Sequence, residues 1–150
     1  METTYRYQTN AHWSAHRRGI VEAQDIPRTI NFSAPVEFQG EPGLWTPEHL
    51  LVSALATCFV TTMRVIAEKS KLEMVALEAS VEGVLEKAEG GFRFTKFFLH
   101  PNLTIAREDD RALAIRLLQK AEHACLISRS LNGQVEMVTK IELEEPVAAE

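Results

Sequence analysis

Cysteine is scarce in this chain, which holds two, Cys58 and Cys125. Small secreted domains lean on dense disulfide frameworks, and two thiols without an export signal exclude that class. They point instead to the cytoplasm, where disulfides are mostly transient and catalytic. No signal peptide is read because METTYRYQTN is polar and lacks a basic stretch followed by an apolar one, so the mature chain is expected to start there. Long apolar runs are missing as well. The longest uncharged stretch, residues 50–63, is about 14 residues against the roughly 20 that span a bilayer. It reads as the buried helix of a soluble protein with no membrane partner. Positive charge is in deficit: the net charge of -5 comes with no basic stripe and no aromatic-basic interleaving, which argues against nucleic acid and for a small or apolar ligand. Metal-ligand spacing is lacking too, since His123-x-Cys125 has no further ligands beside it, and nothing calls for a metal or an organic cofactor.

What is present suits one globular domain over residues 1–150, because 45% apolar residues in a chain of this length supply a core that needs no staples. Short alternating runs over residues 4–13, 18–23 and 29–34 predict a meander of strands. The Gly- and Pro-rich QGEPGLW must be a loop, and Thr46-Pro47-Glu48-His49 then opens a helix. Thr46 suits the N-cap, Pro47 the first helical position, and Glu48 complements the positive end of the dipole. This helix is expected to run to about residue 69 or 70 and to be central, being apolar nearly all round as far as Met63.

Two long strands follow over residues 72–86 and 92–104, joined by KAEGG as a hairpin turn. Alternation sets Met74, Ala76, Glu78, Ser80 and Glu82 on a wet face against Val75, Leu77, Ala79, Val81 and Gly83. A second helix over residues 107–124 carries Ala112, Ile115, Leu117 and Leu118 as its apolar stripe, with Cys125 at its end. A helical turn at 126–131, a break at Asn132-Gly133, a last strand over 135–143 and a frayed tail from 144 complete an α+β domain of order βββαββαβ.

Both cysteines sit among apolar or small residues, Cys58 in LLVSALATCFVTTM and Cys125 at the end of KAEHAC. Taken singly each is an inert core filler or half of a redox pair. The motifs around them resemble the OsmC/Ohr family of organic hydroperoxide reductases: Thr46-Pro47-Glu48-His49-Leu50-Leu51, the small-residue helix over 54–59, and Ala124-Cys125-Leu126-Ile127-Ser128. Thr46 replaces a common Asn, Leu126 a common Pro, and Ala15-His16 a Gly-rich segment before the arginine.

The resemblance implies an OsmC-like fold, two central helices packed against β-sheets, and an intertwined homodimer that reduces organic peroxides. By the same resemblance Cys58 is the reactive cysteine, Cys125 resolves its sulfenic acid as a disulfide, and Glu48 with an arginine activates the site. Arg17, two before Gly19, matches the family's arginine best, with Arg18 and Arg28 as competitors. The implied reductant is an external dithiol, a lipoyl protein in some branches.

An apolar helix raises a thiol's pKa, so Cys58 needs a neighbour that favours its thiolate, and Arg17 held by a bidentate pair with Glu48 is the candidate. Glu48 and Cys58 lie about 15 Å apart along one helix at 1.5 Å per residue, too far for one chain's Glu48 to serve its own Cys58. Antiparallel packing of this helix against its twofold mate would bring them together, giving a composite site at a dimer interface. Phe59, Met63 and Trp45 are the apolar residues expected to favour an alkyl peroxide over hydrogen peroxide. Two other functions compete: a cysteine hydrolase, which would have no use for Cys125, and a non-catalytic ligand-binding or stress-response protein on the same fold.

Overall fold

A computed structural model describes residues 2–147. Of the expected frayed tail, residues 148–150 lie outside that range. The chain divides into two compact units, Met1–Leu51 and Val52–Glu150.

In the first unit, β1 (Asn10–Ala15), β2 (Arg18–Ala23) and β3 (Ile26–Ser33) form an antiparallel meander. The first strand starts later than the alternation predicted. Asn10 pairs with Glu22, close to the end of six-residue β2, and the residues before it have no strand to pair with. Trp45 closes back on the sheet: its carbonyl accepts the Ser33 N–H at 2.8 Å, and the Ser33 hydroxyl accepts the Glu41 N–H at 2.8 Å. This ties down the QGEPGLW loop just before helix α1 (Pro47–Lys69). Thr46 caps α1 as its sequence predicts, with the His49 N–H donating to Thr46 Oγ1 at 3.1 Å.

The second unit is a four-stranded sheet covered on one face by helices. β4 (Met74–Ala88) and β5 (Gly91–Ile105) make a long antiparallel hairpin, turned at Gly90 and Gly91, whose φ values of 91° and 131° few side chains allow. Helices α2 (Arg111–Ala124) and α3 (Leu126–Arg129) follow, then β6 (Gln134–Met137) and β7 (Lys140–Leu143), both parallel to β5. The observed order is therefore βββαββααββ. The single last strand of the expectation is two segments in one register, Leu99 facing Met137 and Asn102 facing Lys140. Their interruption lies opposite His100 and Pro101, and Pro101 has no N–H to give a ladder.

Leu55, Phe59, Met63, Ile66 and Ala67 form the buried stripe of α1, at helical spacing. Of these, Phe59, Met63, Ile66 and Ala67 meet Ala114, Leu117, Leu118 and Ala121 of α2 and Leu99, Leu103 and Ile105 of β5. Burial of each large side chain here stabilises the fold by about 1.5–3 kcal/mol. Gly83 on β4 is required by this packing, because a Cβ there would lie 2.7 Å from Val52 and 2.8 Å from the Phe94 ring.

Three expectations need correction. Helix α1 is not buried all round within one chain: Val65 is 48% exposed, and Thr57, Thr61 and Arg64 share its open side. By length and a mean hydropathy of 1.9 it would also pass for a membrane span, but its buried stripe lines a protein core. On α2 the apolar stripe is rotated, with Ala112 exposed and Ile115 40% exposed, while the buried set Ala114, Leu117, Leu118 and Ala121 leads one turn on to Cys125. A bulge between Met74 and Ala76 reverses the phase at the start of β4, so Met74 packs against the core and Val75 faces out.

The bulge gives a direct test by urea denaturation. Met74→Ala should lower stability by about 1–2 kcal/mol and Val75→Ala by less than about 0.5 kcal/mol. The reverse ranking would mean that the strand keeps simple alternation.

Candidate active site

Helix α1 presents Cys58 half-buried, and the break between α2 and α3 presents Cys125 fully buried. Both thiols are free, and each affects the ionisation of the other. The break arises because Cys125 leaves the helical conformation, at φ -64° and ψ 110°, ending α2 and starting α3. The backbone N–H groups of Ile127 and Leu126, which follow this turn, favour the Cys58 thiolate. The Glu122 carboxylate accepts from the Ser128 hydroxyl at 3.0 Å and ties the end of α2 to α3. From its own helix Cys58 meets Thr62, with Sγ and Oγ1 3.8 Å apart.

These contacts split the two thiols. Burial pushes Cys58 up, but the Ile127 N–H, the Cys125 thiol, the Thr62 hydroxyl and the Leu126 N–H together outweigh it and leave Cys58 below the ordinary thiol value. Burial also raises Cys125, and the N–H groups of Ser128 and Ile127 only partly offset it. Its hydrogen bond to Cys58 and the charge on that sulfur hold the Cys125 proton in place, so Cys125 lies above the ordinary value. Within the second unit, the groups that lower Cys58 are all neutral donors.

The other two expected site residues belong to the first unit. Arg17 follows His16, whose φ of 49° is the left-handed turn conformation that a glycine would take easily. Its guanidinium donates to the Phe38 carbonyl at 2.9 Å and to Gln39 Oε1 at 3.1 Å, both neutral acceptors. Among the described residues no carboxylate pairs with Arg17, whereas Arg18 is matched to Glu41 at 3.4 Å. Arg28 lies exposed on β3. Glu48 and Arg17 do not meet within the chain. Instead, among the described residues, buried Glu48 Oε2 has no hydrogen-bond partner, a costly condition for a carboxylate oxygen.

The apolar residues fare differently. Phe59 and Met63 are fully buried core residues and cannot line a surface that a substrate reaches. Leu126, beside the thiols, is 64% exposed. In the first unit Trp45 is 49% exposed and borders a shallow depression of about 270 Å³ with Gly43, Leu44 and His49. Among the described residues no three His, Cys, Asp or Glu side chains converge to hold a metal ion. Sequence reasoning missed Thr62 and the N–H groups of residues 126 and 127. The first was visible as a hydroxyl four positions after Cys58, whereas the second depends on a backbone turn that no side chain advertises.

Residues 40–140 match the family model described as OsmC-like protein. The uncharacterized protein YmaD of Bacillus subtilis (strain 168) is 34% identical over 139 residues, covering 89% of this chain and 91% of its own. An organic hydroperoxide resistance protein of Xanthomonas axonopodis pv. citri is 28% identical over 136 residues, covering 87% and 91%. The crystal structure of an organic hydroperoxide resistance protein OsmC from Legionella pneumophila superposes with a TM-score of 0.75 at 27% identity, over 94% of this chain and 99% of that one. An OsmC-like protein of unknown function from Vibrio cholerae shares the fold, with a TM-score of 0.81 at 19% identity over 92% and 99%.

The unequal thiols are testable by iodoacetamide labelling across pH, read by peptide mass spectrometry. A lowered pKa keeps the thiolate present to lower pH, so the labelling midpoint of Cys58 should lie below that of Cys125. Cys58→Ser removes the neighbouring negative charge and should bring the Cys125 midpoint down. Coincident midpoints in the unaltered protein would contradict the assignment.

Proposed function

Because this chain belongs to the OsmC-like family, we propose that it is a thiol-dependent peroxidase that reduces organic hydroperoxides to alcohols. The observation that carries this reading is the contact between Cys58 and Cys125, with the first thiol lowered and the second raised. A hydrolase would need only one of them, and a binding protein neither. The Xanthomonas and Legionella relatives, both named for organic hydroperoxide resistance, support the same reaction.

In the proposed cycle the Cys58 thiolate attacks the O–O bond of the hydroperoxide. The bond breaks, Cys58 becomes a sulfenic acid, and the departing alkoxide takes a proton from water and leaves as the alcohol. Cys125 then gives up its proton and attacks the Cys58 sulfur, forming the disulfide and releasing water. Closing that bond requires the two α-carbons within about 7 Å. An external dithiol returns two electrons and two protons and is itself oxidised. Exposed Leu126 beside the thiols favours peroxides with an apolar substituent over hydrogen peroxide.

Arg17 and Glu48 complete the site in this reading, across a homodimer interface. Three features support it: the open side of α1 with its exposed Val65, the buried Glu48 oxygen that has no partner among the described residues, and an Arg17 held only by neutral acceptors. A guanidinium reaching Glu48 from the partner subunit would satisfy the carboxylate and add positive charge near the thiolate.

Free thiols counted during addition of tert-butyl hydroperoxide, with hydrogen peroxide in parallel, test the chemistry. Both thiols should disappear with the organic peroxide, faster than with hydrogen peroxide. Cys58→Ser should stop the loss. Cys125→Ser should allow one round and then over-oxidise. Thiol loss that survives Cys58→Ser would rule the mechanism out.

Subunit mixing tests the composite site. Cys58→Ser and Glu48→Gln proteins, each impaired alone, should recover up to about a quarter of the unaltered activity when refolded together, because half the dimers then carry one intact site. No recovery above the two separate proteins would place Glu48 and Cys58 of one chain in the same site, or Glu48 in none.

A further inference from the structure

Helix α1 carries three threonines, and they use their hydroxyls differently. Thr57 donates to the Ser53 carbonyl at 2.8 Å and the Ala54 carbonyl at 3.2 Å. Thr61 does the same with the carbonyls of Thr57 and Cys58, both at 3.1 Å. Bonding back to the preceding turn is the ordinary fate of a helical threonine. Thr62 departs from it: among the described residues its hydroxyl has one partner, the Cys58 sulfur at 3.8 Å, a long contact that a large sulfur acceptor still allows. Residues four apart share a helix face, and side chains lean toward the N-terminus, so Thr62 overhangs Cys58 by construction. It is half-buried, so the contact is partly shielded from competing water.

Direction follows from charge. Either atom can donate while Cys58 keeps its proton, but a thiolate has none to give and can only accept. The proton that Thr57 and Thr61 spend on carbonyls is therefore free in Thr62 for the sulfur. The other donors to Cys58 come from outside its helix, from Leu126, Ile127 and Cys125.

We propose that the Thr62 hydroxyl is a further catalytic group of this site, donating a hydrogen bond to the Cys58 thiolate that favours its ionised form. Only the identity of the peroxide as the group attacked rests on the peroxidase reading. The hydrogen bond itself does not, and it acts before any oxidant arrives. An external dithiol that attacked the disulfide at Cys125 would expel Cys58 as a thiolate, and the same hydroxyl would receive the returning charge.

The test uses the full chain with Thr62→Val, which keeps shape and loses the donor, and Thr62→Ser, which keeps the donor. The midpoint of Cys58 alkylation against pH should rise by about half a pH unit in Thr62→Val and return toward the original in Thr62→Ser. At a pH below that midpoint, oxidation of Cys58 by tert-butyl hydroperoxide should slow about threefold in Thr62→Val, in line with the smaller thiolate fraction. Thermal unfolding of each variant separates this from a folding defect, and only variants that unfold cooperatively within a few degrees of the parent are scored. An unchanged midpoint in Thr62→Val overturns the proposal, and so does a raised midpoint that Thr62→Ser fails to restore, which would assign the effect to packing. If the midpoint moves as expected but the unaltered protein loses no thiols to peroxide, the peroxidase reading fails and the Thr62 assignment stands.

Discussion

The backbone N–H groups just past Cys125, which favour the Cys58 thiolate, supply the interaction on which the proposed site depends. They are available because α2 stops at Cys125, whose extended ψ ends the helix just before them. The turn is held from below by the buried face of α2, where Ala121 leads one helical turn on to Cys125, and from the side by the Ser128–Glu122 hydrogen bond. One backbone feature thus delivers the second thiol and the donors that favour ionisation of the first. A side-chain cation could supply charge, but it could not tie the position of the resolving cysteine to the activation of its target.

Helix α1 answers to two constraints at once. Its stripe from Leu55 to Ala67 fills the core against α2 and β5, while its other side leaves Val65 and a row of small and hydroxyl residues open. The proposed homodimer gives the open side a function, since close approach of two such helices would cover it and bring a second chain's Glu48 toward Cys58. The unpartnered Glu48 oxygen argues in the same direction on independent grounds, because a buried carboxylate is stable only with a donor.

Much of this was legible in the residues. Thr46 and Pro47 fixed the start of α1, Gly90 and Gly91 fixed the β4–β5 turn, and the alternation from Leu77 onward assigned the two faces of β4 correctly. The motifs around both cysteines led to the right family. The failures have local physical causes. A bulge inverted the phase at Met74, and Pro101 on one strand broke the ladder of another, so neither defect lay where its effect was felt. On α2 the alanines Ala114 and Ala121 outrank Ile115 for burial because small residues let the helix lie close to its neighbours, a preference that hydrophobicity alone ranks the wrong way. Phe59 and Met63 looked like a substrate wall because they flank Cys58 in sequence. Helical geometry turns both into the core instead.

The two thiols also regulate each other's charge in an order suited to the proposed cycle. While Cys58 is a thiolate, its charge and its hydrogen bond keep the proton on Cys125, so the resolving cysteine stays inactive when there is nothing to resolve. Conversion of Cys58 to a sulfenic acid removes the negative charge from that sulfur. Both contributions that hold Cys125 up from this neighbour weaken at that moment, while the N–H groups of Ser128 and Ile127, which favour its thiolate, stay in place. In the proposed cycle, oxidation of the first cysteine would thereby favour ionisation of the second, so the order of attack and resolution would follow from electrostatics.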